Sequence, residues 1–127
     1  MKYGYTKKIS MPFEDAVLKV KEALDAEGFG VLTEIDVKAT MKKKLGVDFD
    51  NYTILGACNP KFALQALQEE KEIGLLLPCN VIVYEVNAEV YASSILPSTA
   101  MNVVGNPKLA DISREVENRL TSAIDSV

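Results

Sequence analysis

The stretch Asn80 to Leu96, NVIVYEVNAEVYASSIL, decides the fold. Asn80 to Val86 reads as one strand and Glu89 to Leu96 as the returning strand, with Asn87-Ala88 as a two-residue turn between them. So short a connection joins antiparallel neighbours, because a parallel pair needs a long crossover. No Gly-rich phosphate loop follows the first predicted strand, which also counts against a doubly wound parallel sheet.

Upstream of the hairpin, helices and strands alternate. Lys2 to Ile9 reads as a first strand containing Tyr3, Tyr5 and Ile9. Pro12 then opens a helix, with Glu14 and Asp15 at its positive end. Phe13, Val17, Val20 and Leu24 form its apolar stripe, and Gly28 stops it. Phe29 to Ile35 follows as a strand, with Val31, Thr33 and Ile35 expected on one face and Leu32 and Glu34 on the other. Asp36 is the N-cap of a short helix through Leu45, closed by Gly46. After the turn Asp48–Asn51, Tyr52 to Ala57 is the third strand. Asn59 as N-cap and Pro60 at the first helical position open another helix to about Glu70, with Phe62, Ala63, Ala66 and Leu67 on its apolar side. Gly74 to Leu77 reads as an apolar strand segment interrupted by Pro78.

Beyond the hairpin, Ser98 to Asn106 is long enough to cover a pocket or a partner subunit, and reads first as an ordinary connection. Asn106 then caps and Pro107 opens the last helix, carried by Leu109, Ile112, Val116, Leu120 and Ile124. The order β-α-β-α-β-α-β-β-α predicts an α+β fold: a mainly antiparallel sheet with helices packed on one face. Residues 1–127 fit a single domain.

Composition limits the chemistry. The chain has 14 basic and 18 acidic side chains, a net charge of −4, two cysteines and no histidine. Without histidine there is no Ser-His-Asp or Cys-His catalysis and no histidine-ligated zinc or haem. The acidic balance argues against nucleic acid as a partner, since such domains present a basic face to phosphates. Lys42-Lys43-Lys44, with Lys38 one turn earlier, reads as a solvated helix face. No apolar run approaches the ~20 residues that cross a bilayer, and the segment after Met1 lacks the apolar core of a signal peptide. No membrane partner and a cytoplasmic location are therefore expected, with the cysteines reduced.

Two phrases are alike: Leu55-Gly56-Ala57-Cys58-Asn59-Pro60 and Leu76-Leu77-Pro78-Cys79-Asn80-Val81. Each joins an apolar segment to Cys-Asn. With its Gly-x-Cys-Asn-Pro and later Leu-Pro-Cys-Asn-Val motifs, the chain resembles the domain of unknown function 302 family over nearly its whole length. The resemblance implies a compact α+β fold and homodimers, and no established activity.

Cys58 precedes a predicted helix start, where backbone N–H groups and the helix dipole stabilise a thiolate. Cys79 lies at the break beside Pro78. The cysteines are too far apart in sequence for a Cys-x-x-Cys motif, and a disulfide between them requires Cα atoms within roughly 4.4–6.8 Å. Two sulfurs alone do not complete a zinc site, and no ligand spacing indicates a metal. Equally, a free cysteine serves as a small buried hydrophobe, and Asn59-Pro60 is explained by helix-start chemistry alone. Glu69, Glu70 and Glu72 around Lys71 read as a solvated face, and the serines have no base to activate them.

These observations favour a binding module over an enzyme: a dimer holding a small molecule or protein near Cys58, Asn59, Cys79 and Asn80. No cofactor is indicated. The alternative is a thiol-redox or metal-handling protein using Cys58 and Cys79.

Overall fold

The computed structural model describes residues 2–127. Its framework is a five-stranded sheet of β1 (Gly4–Ile9), β2 (Gly30–Asp36), β3 (Tyr52–Cys58), β4 (Cys79–Val86) and β5 (Glu89–Ile95), in the order β1-β5-β4-β3-β2. Every neighbouring pair is antiparallel. The hairpin β4–β5 is the centre from which the sheet extends both ways. Asn87 and Ala88 both take positive φ, 52° and 64°, the requirement of a type I′ turn.

Five α-helices accompany the sheet: α1 (Phe13–Ala26), α2 (Val37–Leu45), α3 (Pro60–Glu69), α4 (Pro97–Asn102) and α5 (Ala110–Asp125). Helices α1 and α5 cover one sheet face. Ala16, Val17, Val20 and Leu24 of α1 meet Val116, Leu120, Ala123 and Ile124 of α5 over Leu55, Val81, Val83, Val90 and Ala92. A fully buried valine, leucine or isoleucine side chain contributes about 1.5–3 kcal/mol of transfer free energy. A smaller cluster of Ala66, Ile73 and Leu109, with Leu77, Met101, Val104 and Ile112 against it, lies beside this core. The opposite sheet face carries Tyr52, Tyr84 and Tyr91 in a stacked row, with centroids 5.7 and 5.3 Å apart.

The predicted α+β class, antiparallel sheet and element order hold, and several local readings change. The apolar run Gly74–Leu77 is not strand: a 3₁₀ helix occupies Lys71–Leu76 and β4 begins at Cys79. Gly74 has no side chain to pack on a sheet, whereas the 3₁₀ turn drives Ile73 into the smaller cluster. The connection after Leu96 contains α4, begun by Pro97 in a position that suits a helix's first turn. The last helix starts with a 3₁₀ turn, Pro107–Leu109, capped by the Asn106 side chain, which accepts from Lys108 N at 3.0 Å.

Strand β2 also departs from simple alternation. Val31 pairs with Ala57 but Thr33 pairs with Gly56, so Leu32 is an extra, bulged residue. The bulge puts Val31 against the main core and Thr33 with Ile35 in the other phase. Glu34 then reaches Lys21 of α1 at 2.5 Å. Gly56 is required where Thr33 crosses it: a Cβ there would collide with Thr33 Oγ1 and lie 2.7 Å from Pro78 Cγ.

Candidate functional site

Where β3 ends, the chain turns through Cys58 and Asn59 into α3; where β4 begins, it enters through Leu77, Pro78 and Cys79. The register brings these ends together by pairing Ala57 with Cys79. Helices α4 and α5 approach the same end of the sheet. The result is a small cleft, open to solvent, with about 40 Å³ of water-accessible volume. Phe29, Ala57 and Cys79 form the sheet side. Phe62, Ala63 and Ala66 come from α3, Pro97 and Met101 from α4, and Ile112, Ser113 and Val116 from α5. The walls are overwhelmingly apolar, and Cys58, Asn59 and Ser113 supply the few polar groups.

The small side chains of Ala63 and Ala66 create the space. They sit on the inner side of α3, one helical turn apart, where larger residues would join the two clusters into continuous core. Asn59 holds the N-cap position with an extended backbone, but its side chain makes no capping hydrogen bond. Asn59 is instead one of the residues lining the cleft.

Three of the four residues singled out from sequence, Cys58, Asn59 and Cys79, line this cleft. Asn80 is not among the lining residues. It pairs with Gly56, one step out of phase with Cys79, and is solvent-exposed. A strand's period of two separates the members of the second Cys-Asn segment: Cys79 turns to the helix-covered face and Asn80 away from it.

The cysteines do not form a pair. Both thiols are free, Cys58 half-buried and Cys79 buried. Cys79 shares its phase with Val81 and Val83 in the core, whereas Cys58 follows Ala57 at the end of its strand, in the alternate phase. Burial pushes the Cys79 thiol up to about 11, with a lesser contribution from Cys58. That is the opposite of an activated thiolate. Among the described residues no group of three or more Cys, Asp or Glu side chains is placed to hold a metal ion.

Sequence reasoning allowed Ser98–Asn106 to cover a pocket but placed neither α4 nor the cleft side of α5. Met101 lay in a segment read as loop, and Ser113 faces the cleft from a helix recognised only by its apolar stripe. The available signal was composition on α3: Phe62 beside two alanines marks a stripe too thin to fill a core.

The fold and cleft define an α+β domain built like a known protein. A crystal structure described as that of an uncharacterized conserved protein DUF302 from Bacillus stearothermophilus superposes with a TM-score of 0.93. It is 31% identical, and the match covers 98% of each chain. The family model described as "Domain of unknown function DUF302" matches residues 5–127. This chain belongs to that family. Among curated proteins, none matches it.

Proposed function

We propose that this protein is a dimeric binding module whose cleft beside Cys58, Asn59 and Cys79 takes a small apolar ligand. The observation that carries this reading is the cleft itself: apolar walls from the sheet and three helices, left unfilled by alanines, with a few polar groups among them. That combination is the usual character of a small-molecule site. None of the lining residues is a histidine or a carboxylate, so no ordinary general base faces the cleft.

The dimer rests on the opposite side of the sheet. There Tyr52, Ile54, Ile82, Tyr84 and Tyr91 are only half-buried and Ile35 is exposed. A shallow groove between Tyr3, Thr6, Ile82, Tyr84 and Ser93 crosses the same face. A second copy over this face removes aromatic surface from water. A reducing, cytoplasmic setting is in keeping with two free thiols. No helix among the described residues is long and apolar enough to cross a membrane.

The test is an NMR titration with benzene, a small apolar probe, against the wild type and Ala63→Phe. Saturable binding to the wild type, weakened at least tenfold in a folded Ala63→Phe variant, supports the cleft. Equal binding to both places the probe elsewhere and overturns the reading.

A further inference from the structure

Resting on that cleft, we propose that its ligand is uncharged and carries one hydrogen-bonding group, a hydroxyl or a carbonyl, which the Ser113 side chain recognises at the cleft wall. Ser113 stands on the inner stripe of α5, one turn after Leu109 and one turn before Val116, where an apolar residue would extend the core. It is only 5% exposed. A buried serine or threonine in a helix commonly donates back to a carbonyl of the preceding turn. Two residues further along the same stretch of chain do so. Thr121 Oγ1 donates to Glu117 O at 3.0 Å, and Ser126 Oγ to Ala123 O at 2.8 Å. The Ser113 hydroxyl makes neither that bond nor any other among the described residues. Ser94 Oγ, on β5, is sealed in without a partner. Ser113 differs in bordering space that a ligand can enter.

Ser113 lines two such spaces at once. On its inner side is the cleft; on the other, α4 and α5 leave a broader groove of about 520 Å³. Met101, Leu109 and Ser113 belong to both walls and so form the boundary between them, with Ser113 its polar member. A ligand whose apolar part fills the cleft brings its polar end to this boundary. The other polar lining residues, Cys58 and Asn59, are half-buried and can turn to water. A hydroxyl as buried as that of Ser113 gains more from a partner supplied by the ligand.

The ligand is uncharged because a charge finds no counterpart here. No lysine, arginine, aspartate or glutamate lines the cleft. In the groove, Glu117 already accepts from Ser98 N and Oγ at 3.0 and 2.6 Å, and Arg114 donates to Asp111. A charged group drawn into the cleft loses its hydration with no ion to replace it. A hydroxyl or carbonyl exchanges a bond to water for a bond to serine and loses little.

Benzene and phenol share a ring and differ by one hydroxyl, so NMR titration with both isolates the contribution of Ser113. The wild type is expected to bind each saturably. In Ser113→Ala, benzene affinity should hold or rise, and the ratio of phenol to benzene affinity should fall at least fivefold. Without ligand, Ser113→Ala should melt no lower than the wild type, because the hydroxyl it removes has no partner; a serine with a purely structural bond would give a lower melting temperature. A ratio unchanged in Ser113→Ala, or a lowered melting temperature, overturns the role of Ser113 and leaves the cleft standing. If neither probe binds the wild type, or both bind Ala63→Phe undiminished, the cleft reading and this inference fall together.

Discussion

At the scale of single residues, environment separates two cysteines that look equivalent in sequence. Both precede an asparagine, yet Cys58 ends a strand half-buried and Cys79 starts one in the core. Burial holds the Cys79 thiol neutral to about pH 11 in the folded state, whereas an unperturbed thiol ionises near pH 8.5. A folded-state value raised above the unfolded one gives stability that is complete below the unfolded value and is lost as pH rises towards the folded one. Chemical denaturation should therefore show stability falling between about pH 8.5 and pH 11, and Cys79→Ala should flatten that slope despite lowering stability overall. An unchanged slope in Cys79→Ala contradicts the account. Asn80 gives a complementary lesson. The motif marks both residues alike, but the side each faces depends on register, which the Cys-Asn-Val letters do not contain.

At the scale of elements, periodic patterns carried the reading furthest. The stripes of α1 and α5, the Asp36 cap of α2 and the β4–β5 hairpin were all legible, because spacing and end chemistry are local. Asp36 Oδ1 accepts from Ala39 N at 2.9 Å, as its N-cap position predicts. The exceptions are elements set by their surroundings. The bulge at Leu32 depends on how β2 meets Gly56, and the Lys71–Leu76 turn depends on the small cluster that receives Ile73. The hairpin turn supplies the sharpest check at this scale. Ala88 sits at φ 64°, a conformation whose steric cost a Cβ bears and glycine escapes. Ala88→Gly completes an Asn-Gly turn and is expected to raise stability by about 0.5–1 kcal/mol in urea denaturation. A loss of stability would show that the turn adopts another geometry.

At the scale of the whole molecule, the two sheet faces have different tasks. One is sealed by α1 and α5 and adjoins the cleft; the other presents the tyrosine row. The class of fold was legible because a tight hairpin among alternating elements calls for an antiparallel sheet, whereas the order of the strands, β1-β5-β4-β3-β2, depends on long-range pairing. The cleft was legible only in part, since its walls come from segments as distant as Phe29 and Val116 and depend on what packing leaves empty. Light scattering at micromolar concentration should give the mass of a dimer. Tyr84→Lys, which puts a charge into the middle of the aromatic row, should shift it to monomer with the helical signal retained. A monomeric wild type contradicts the assigned role of that face.

The most direct test of the cleft as a ligand site is methyl-resolved NMR during titration with 1-decanol. Met101, Ile112 and Ala66 enclose the cleft from three different helices, while Ala16 and Ile124 lie in the core away from it. Saturable shifts at the first three, with the last two unmoved, are the result the account predicts. Shifts spread evenly through the core, or none at saturating probe, would contradict it.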